Sequence, residues 1–282
     1  MRKSISKTKF ESEVNSGNRF EFGKNWKNYL SNLTDERIQI AQQSILKMLD
    51  IKRLDNMRVL DVGSGSGLFS LAARNLGALV HSFDYDPTSV SCTSSLKSRY
   101  YPNDENWKIE QGSILDNQFL DKLGKYDIVY SWGVLHHTGN MWKALENVSS
   151  LVKENGLLYI AIYNDQGWRS VIWKKVKKLY CSGVVGKYFV TFVYLPIFFI
   201  KTCMLSLLSK RNIFAEYKKN RGMSVYWDWI DWLGGYPFEV AKIEDIFNYY
   251  KEKGFILKNI KSNNGLGNNV FVFIKNVNID LI

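Results

Sequence analysis

The sequence is poor in the residues that build disulfide frameworks and metal sites. Its three cysteines, Cys92, Cys181 and Cys203, lie far apart and show no CxxC spacing. Disulfide-stabilised folds and zinc sites need paired or closely spaced cysteines, so the pattern argues against both and fits a reducing compartment. Two of the three histidines are adjacent, and neighbouring residues cannot easily bind one ion together. We therefore expect no bound metal.

Segments that target or anchor a chain are also scarce. The basic start MRKSISKTKF is not followed by an apolar stretch, so we expect no secretory signal and a cytoplasmic protein. The apolar run from Tyr188 to Ile200 contains Pro196 and is followed by Lys201. A run of this length is too short to cross a bilayer, so we expect no transmembrane helix.

Apolar residues are plentiful enough for a large core, at 45% of 282 residues. The formal net charge of +11 is compatible with an anionic substrate, a nucleic acid or a membrane surface, and it selects none of them. No recognised RNA-binding module accompanies the charge. Nucleic acid is therefore not favoured as a partner, and a small-molecule acceptor is expected.

Strands and helices alternate through the middle of the chain. Short apolar runs predict buried parallel strands at Arg58 to Val62, Leu79 to Phe83, Trp107 to Gln111, Tyr126 to Ser131 and Leu157 to Tyr163. Helical patterns lie between them, at GLFSLAARNLG, Pro87 to Tyr100 and Asn140 to Val152. This alternation predicts an α/β fold with a Rossmann-like, doubly wound sheet.

The flanking segments complete a division into four regions. An amphipathic helix with Thr34 as N-cap is predicted over Leu33 to Leu54. Near the end, PFEVAKIEDIFNYYKEKG predicts a helix, and FILKNI and VFVFI around SNNGLGNN predict a hairpin. The regions are an N-terminal helical segment covering the ligand site (1–56), a Rossmann-like core (57–163), a helical insertion after strand five that forms a lid (164–237), and a C-terminal helix and hairpin that complete the sheet (238–282).

The strongest short motif is VLDVGSGSG, from Val59 to Gly67, where a strand meets a helix. Its glycines allow a tight turn and a close approach of backbone to a ligand. Asp84, about 20 residues beyond the loop, ends the next strand, where it can accept both ribose hydroxyls of an adenosine cofactor. A dinucleotide fits less well, because Leu68 replaces the last glycine of its motif and Asp61 would repel a pyrophosphate and attract a cation.

These residues resemble motif I of the class I SAM-dependent methyltransferases, whose cofactor S-adenosylmethionine (SAM) is a cationic adenosine compound. The likeness covers Met57 to Asn164 and implies a seven-stranded sheet with its last strand antiparallel, with S-adenosylhomocysteine as the product. Ser113 stands where the family usually has an adenine-contacting Asp. The cofactor-binding residues that the resemblance implies are Asp61, Gly63, Ser64, Gly65, Gly67, Asp84, Tyr85, Ser113, Ile114 and Trp132.

The adjacent histidines lie in SWGVLHHTGN, where the fourth strand ends and ligands of open α/β sheets bind. An alcohol acceptor must lose a proton on methylation, and a neutral imidazole can take it. Successive residues leaving a strand point to opposite sides, so one histidine is expected to face the pocket. In the family the second of such a pair tends to do so, which favours His137 as the catalytic base and His136 as the residue that holds the turn. Catalysis by proximity alone, with both histidines structural, stays open.

The insertion is basic and aromatic, with twelve Lys and Arg against four Asp and Glu and 16 of the chain's 41 aromatic residues. Tryptophans that alternate with Asp228 and Asp231 suit a carbohydrate, although core packing explains them equally well. The segment FGKNWKNYL is expected to fold over the cofactor, with simple docking of the terminus as the alternative. The predicted substrate-binding and covering residues are Trp26, Trp227, Trp229, Trp232 and Tyr236.

Residues 187–211 allow three interpretations. They form a buried lid helix, a homodimer contact, or a helix lying on the inner face of the membrane, for which the flanking Lys187, Lys210 and Arg211 suit anionic headgroups.

The leading hypothesis is O-methylation of a small polar acceptor such as a sugar or sugar nucleotide, because WLGGYPFEVA resembles methyltransferases of surface-polysaccharide pathways. The chain also resembles the quinone methylase-like branch, related to ubiquinone O-methyltransferases. A quinone or lipid-linked acceptor at the membrane surface is therefore the alternative. RNA methylation and a non-catalytic SAM-binding protein are the remaining hypotheses.

Overall fold

A computed structural model describes residues 2–216 and 225–276 of the chain. A 3₁₀ turn, Leu135–His137, follows the fourth strand. The helices and strands, in chain order, are α1 Arg2–Asn15, α2 Gly23–Leu30, α3 Asp35–Leu49, β1 Arg58–Val62, α4 Leu68–Asn75, β2 Leu79–Asp84, α5 Pro87–Tyr100, β3 Trp107–Gln111, α6 Asn117–Leu120, β4 Tyr126–Trp132, α7 Met141–Ser150, β5 Val152–Tyr163, α8 Trp168–Cys181, α9 Val184–Ser209, α10 Val225–Gly234, α11 Ile243–Glu252, β6 Phe255–Lys261 and β7 Asn268–Lys275.

The strands form one seven-stranded sheet in the order β3-β2-β1-β4-β5-β7-β6. Neighbours among β1 to β5 are parallel, whereas β7 is antiparallel to β5 and to β6. The predicted Rossmann-like sheet with an antiparallel last strand is confirmed. The strand order reverses between β1 and β4, and in open α/β sheets ligands bind in the crevice at such a point.

Helices cover both faces of the sheet, because the central strands are apolar on both sides. On one face, Ile45 of α3 and Leu71 of α4 belong to a buried cluster. On the other face, Leu145 of α7 and Tyr250 of α11 pack in a cluster that includes Ile160 of β5. Burial of these side chains is the main source of stability.

Helix α5 has the bounds that the sequence predicted, because its start is fixed by strong local signals. The Asp86 carboxylate precedes the helix and accepts a hydrogen bond from the Thr88 N–H at 2.8 Å. Pro87 is the first helical residue. A carboxylate cap and a proline at this position both favour a helix start.

Helix α3 is shorter than predicted at both ends. It starts after Thr34, which occupies the N-cap position without a side-chain hydrogen bond, and it ends where Asp50 turns left-handed at φ 52°. Leu33 and Leu54 lie outside the helix but are buried. The apolar pattern therefore continues beyond the helix itself.

Strand β5 begins at Val152, earlier than the predicted Leu157. Val152 pairs with Tyr126, and the register with β4 then shifts before Ile128. Asn155 takes a left-handed conformation, φ 58°, within this irregular stretch. The strand thus contains an irregularity before the predicted start at Leu157.

Helix α9 is longer than the apolar run predicted. It is continuous over 26 residues with Pro196 inside it, or about 39 Å at the usual helical rise, against a hydrocarbon core of about 30 Å. By length and composition it is able to cross a membrane, and only 11% of its most apolar 18-residue stretch is buried. The helix extends well beyond the run because the polar and charged residues around it do not interrupt the backbone.

Burial at a matched pair of isoleucines tests this fold. Ile160→Ala in β5, where the side chain is fully buried, should lower the free energy of unfolding by about 2–5 kcal/mol. Ile256→Ala in β6, where the side chain is 44% exposed, should cost less than about 1 kcal/mol. Urea unfolding followed by circular dichroism measures both, and equal losses would contradict the burial described here.

Candidate active site

The glycine loop joins β1 to α4 at the crevice of the sheet. Gly63, Gly65 and Gly67 have φ of +80°, +55° and +82°, a region that favours glycine. The N–H groups of Gly63 and Ser64 donate to the Phe83 carbonyl at 2.8 and 3.1 Å. These bonds fix the loop to the end of β2.

A close contact joins this loop to the exit of β4. A Cβ at Gly63 would lie 2.4 Å from Cγ1 of Val134, so no side chain fits there without displacement. Val134 directly precedes the 3₁₀ turn that contains both histidines. The contact therefore places that turn beside the glycine loop.

Asp84 ends β2 next to the loop. One carboxylate oxygen accepts the Gly65 N–H at 2.9 Å and the other accepts the Asp86 N–H at 2.9 Å. Burial, followed by the charge of Asp86, raises the pKa of Asp84 to about 7. The carboxyl group is thus half ionised near neutral pH, and a partner that stabilises the charged form would shift it.

Asp61 lies below the loop rather than open to the crevice. It is 3% exposed, and its carboxylate accepts a hydrogen bond from the Ser70 hydroxyl, which also bonds with Ser82 at 2.7 Å. Burial raises the pKa of Asp61 to about 6. The carboxylate that was expected to face a cationic cofactor has its direct hydrogen-bonding partner inside the protein.

The other predicted cofactor-binding residues also lie at the carboxyl ends of the parallel strands. The hydroxyl of Ser64 bonds with Thr93 at 2.9 Å, and that of Ser113 accepts the Leu115 N–H at 3.2 Å. Ile114 is buried, whereas Trp132 at the end of β4 is 41% exposed. Their roles in cofactor binding stay predictions.

Tyr85 is held by a cation and an acid of the N-terminal segment. The Arg19 guanidinium lies over its ring, 4.9 Å from the centroid, and its hydroxyl donates to Glu13 at 3.2 Å. Arg19 and Glu13 are themselves paired at 2.6 Å. Tyr85 is therefore held in place by the N-terminal segment.

The two histidines do not leave a strand in opposite directions, because the chain has already turned. Their ring centroids are 4.5 Å apart, and both contact Tyr163, at 4.0 Å for His136 and 5.5 Å for His137. His136 is fully buried, and its Nδ1 accepts the Tyr163 N–H at 3.3 Å. Burial holds the pKa of His136 well below its usual range.

His137 is oriented by one strong hydrogen bond. Its Nδ1 lies 2.6 Å from the Pro237 carbonyl oxygen, which can only accept, so Nδ1 carries the proton and Nε2 keeps its lone pair. Burial lowers the pKa of His137 to about 3, although the bond to Pro237 acts in the opposite direction. The imidazole is therefore neutral, with Nε2 as an acceptor.

Lys177 is a buried cation that the sequence did not single out. Its ammonium group donates to the Trp232 carbonyl and lies over the rings of Trp232 and Phe238, 4.1 and 4.9 Å from their centroids. Burial lowers its pKa to about 7. Both of these rings contact Tyr163, so the lysine lies behind the histidine pair.

Helical spacing could have found this lysine. Within the cationic run of α8, Lys177 shares a face with Ser170, Trp173 and Tyr180, at intervals of three and four residues. Ser170 and Tyr180 are buried with it.

Helix α2 and the turn before it lie across the cofactor loop. The Gly23 N–H donates to the Asp86 carboxylate at 2.8 Å. The indole nitrogen of Trp26 would be 3.1 Å from a Cβ at Gly65. Trp26 therefore lies against the central glycine of the loop.

The same N-terminal segment reaches His137. Arg19 donates to the His137 carbonyl at 3.0 Å, and the Phe22 ring lies 4.9 Å from the imidazole. The Phe20 N–H donates to the Tyr236 carbonyl at 2.8 Å. The N-terminal segment thus bridges the core and the end of the insertion.

The three tryptophans of α10 do not form a common face. The ring of Trp232 contacts Tyr163 at 5.7 Å, whereas Trp229 contacts Phe198 of α9 at 5.9 Å. Trp227 contacts its neighbour Tyr226. Trp232 thus contacts the tyrosine that both histidines contact, whereas Trp229 contacts α9, so the pattern of the sequence does not correspond to one binding surface.

No group of three or more His, Cys, Asp and Glu side chains is arranged to hold a metal ion within residues 2–216 and 225–276.

A family model described as a methyltransferase domain matches residues 33–181, more than half of the chain. The chain belongs to this methyltransferase family, and its sheet is that of the class I SAM-dependent enzymes. The prediction of a SAM-dependent methyltransferase is thereby confirmed.

Named relatives and solved structures extend the comparison. A ubiquinone biosynthesis O-methyltransferase of Pelagibacter ubique is 26% identical over 69% of this chain and 78% of its own length. A malonyl-[acyl-carrier protein] O-methyltransferase of Magnetococcus marinus is 28% identical over 60% of this chain and 63% of its own length. The magnesium protoporphyrin IX methyltransferase of Synechocystis, solved with SAH, superposes with a TM-score of 0.51 at 15% identity, covering 84% of this chain and 83% of that one. This last likeness shows the fold alone.

The fraction of a relative's own length that this chain matches differs from one relative to another. The ubiquinone biosynthesis O-methyltransferase of Rickettsia akari, 28% identical over 48% of this chain, is matched over 47% of its own length.

The protonation state of His137 can be measured directly. Nitrogen-15 NMR should show a neutral imidazole protonated at Nδ1, which stays neutral between pH 7 and pH 5 because burial disfavours its charge. The His137→Gln variant assigns the signal by removing it. A His137 resonance that titrates near pH 6.5, the ordinary value for the side chain, would contradict the buried geometry.

Proposed function

We propose that this protein is a SAM-dependent O-methyltransferase in which His137 is the general base and the acceptor is a lipid-soluble hydroxyl compound of the quinol type. The observation that carries the proposal is the hydrogen bond from His137 Nδ1 to the Pro237 carbonyl. It leaves Nε2 unprotonated in the turn that packs on the glycine loop through Val134.

The residues at the crevice fit SAM. The three glycines give the tight turn that brings the loop against Asp84, and Asp84 offers a carboxylate for the ribose hydroxyls at the end of β2. Trp26 lies against Gly65, where its indole would cover the bound cofactor. We assign cofactor binding to these groups.

SAM supplies, when bound, an electrophilic methyl group on a sulfonium. The protein's part is to align the acceptor oxygen, exclude water and remove one proton. Burial makes the free imidazole a weak base, so His137 Nε2 takes the hydroxyl proton only as methyl transfer proceeds and not in a separate step before it. The rings of Phe22 and Tyr163 contact His137 and enclose the base.

The acceptor class is inferred from the surroundings of the base and from the relatives. Aromatic rings, rather than a row of hydrogen-bonding groups, dominate the contacts of the histidines, which suits a flat apolar ring. The Pelagibacter relative is a ubiquinone biosynthesis O-methyltransferase. A sugar or sugar nucleotide stays a prediction, with less support because the tryptophans of α10 do not share a face.

Removal of the base should abolish most of the turnover. His137→Ala should lower kcat by about 100-fold or more, with the Kd for SAM unchanged, because the proton then has no acceptor in the site. Initial rates with labelled SAM and equilibrium dialysis measure the two quantities. His81→Gln, whose ring pairs with Tyr126 and Glu110 away from the site, is the control. Wild-type turnover in His137→Ala would remove the base from the proposal.

Ionisation of Asp84 should control the affinity for SAM. The raised pKa of about 7 means that the carboxylate is mostly protonated below pH 7, whereas ribose hydroxyls need the ionised form as acceptor. The affinity should therefore rise about tenfold between pH 6 and pH 8.

Asp84→Asn should bind SAM roughly ten to a hundred times more weakly at pH 8. The ratio of wild-type to variant affinity, measured by calorimetry, cancels the titration of SAM's own amino group. Asp121→Asn, an exposed position, is the control. A ratio that does not change with pH would contradict the ribose assignment.

Methyl transfer from labelled SAM to a panel of acceptors identifies the acceptor class. The panel contains a demethylated quinol in detergent micelles, a set of sugar nucleotides and RNA. Transfer to the quinol is the expected result. Transfer to a sugar nucleotide alone would restore the sugar hypothesis, and tight SAM binding without any transfer would indicate a non-catalytic SAM-binding protein.

A further inference from the structure

We propose that α9 lies in the plane of an anionic lipid membrane, with its solvent-facing side in the acyl region and the basic side chains around it on the headgroups. In a water-soluble protein the outer side of a surface helix is normally polar. Here the outer side is apolar along its whole length.

Thirteen large apolar side chains of this helix are exposed, far more than scattered surface residues would supply. Phe192 is 81% exposed, and Leu207 and Leu208 are each 79% exposed. The full set is Val184, Val185, Tyr188, Phe189, Phe192, Val193, Ile197, Phe199, Ile200, Met204, Leu205, Leu207 and Leu208.

The inner side of α9 is fixed to the rest of the insertion. Val190 is buried in a cluster with Tyr180 and Leu233. The rings of Tyr194 and Phe198 lie 5.3 and 6.2 Å from Trp173 of α8. One side of the helix therefore packs on protein, which leaves the other side for a partner.

The charge around this helix selects an anionic lipid surface. Between Trp168 and Ala215 the sequence has nine Lys and Arg and no Asp or Glu. Apart from Lys177, these basic residues are exposed: Arg169, Lys174, Lys175, Lys178, Lys187, Lys201, Lys210 and Arg211. The nearby acid Glu216 pairs with Arg211 at 3.0 Å. An apolar face bordered mainly by cations is the pattern of helices that lie in the interface of anionic membranes.

Packing against α8 favours an in-plane orientation over a spanning one. A spanning helix would carry Lys201 and the neighbouring cations of α8 towards the hydrocarbon core, where charged groups are costly. An in-plane helix keeps every one of these cations at the headgroups. The apolar side chains alone then enter the acyl region.

This orientation connects the membrane to the chemistry, a consequence that rests on the proposed function. Trp173 contacts α9 on one side and Trp232 on the other, at 5.2 Å. Trp232 contacts Tyr163, whose ring lies beside His137. A continuous series of ring contacts therefore joins the proposed membrane face to the base.

Co-sedimentation of the full-length protein with vesicles tests the proposal without any acceptor. Binding to vesicles of phosphatidylglycerol and phosphatidylcholine at 0.1 M NaCl should exceed binding to phosphatidylcholine alone by at least about tenfold. The negative headgroups attract the basic side chains around α9. Phe192→Asp should reduce binding to anionic vesicles by at least about tenfold. Ile40→Asp, a similarly apolar and exposed position on α3 (47% exposed), should bind like the wild type.

Four results would overturn the proposal. The first is absence of vesicle binding, and the second is equal binding to neutral and anionic vesicles. The third is retention of the protein in the membrane after carbonate extraction of cells, because that result would indicate a spanning helix. The fourth is a dimer in sedimentation velocity that Phe192→Asp dissociates, which would make this face a contact between two copies. SAM binding, and turnover on a water-soluble quinol, should be equal in wild type and Phe192→Asp, so failure of the membrane proposal is distinguishable from failure of the methyltransferase assignment.

Discussion

The close contact between the loop after β1 and the turn after β4 is the constraint on which the active site depends. The two strands are parallel neighbours at the point where the order of the sheet reverses. The contact requires a residue without a side chain at Gly63, since Val134 occupies the space beside it. His137 follows three residues later, so its position relative to the loop is set by packed backbone. Catalysis of group transfer relies on such fixed alignment.

His137, the proposed base, is oriented by segments distant in the sequence. Pro237 at the end of the insertion accepts the Nδ1 proton, Arg19 of the N-terminal segment donates to the carbonyl, and Phe22 packs on the ring. The core thus supplies the histidine, and the two added segments decide its tautomer and its solvent exposure. The insertion also carries α9, so the same segment that orients the base carries the proposed membrane contact.

Local signals predicted those parts of the fold where adjacent residues decide the outcome. The glycine loop needs positive φ at fixed spacing, and α5 begins at a carboxylate cap followed by proline, so both were read correctly. Two kinds of feature were missed. Lys177 looked like one more surface cation because only packing against Trp232 and Phe238 buries it. The tryptophans of α10 looked like one surface because alternation in a sequence does not place residues on one side of a helix.

The sequence by itself determined the parallel sheet and the glycine loop, because strand periodicity, glycine spacing and an acid at a strand end are all local requirements. Its resemblance to the class I methyltransferases indicated the class of reaction. Only the tertiary structure decided which histidine nitrogen is free, which lysine is buried, and that the apolar run belongs to a 26-residue helix with its apolar side exposed. Those properties depend on contacts between segments that are distant in the sequence, such as His137 with Pro237 and Lys177 with Trp232. The exposure and protonation of a group depend on what packs against it, and that is fixed only when the chain is folded.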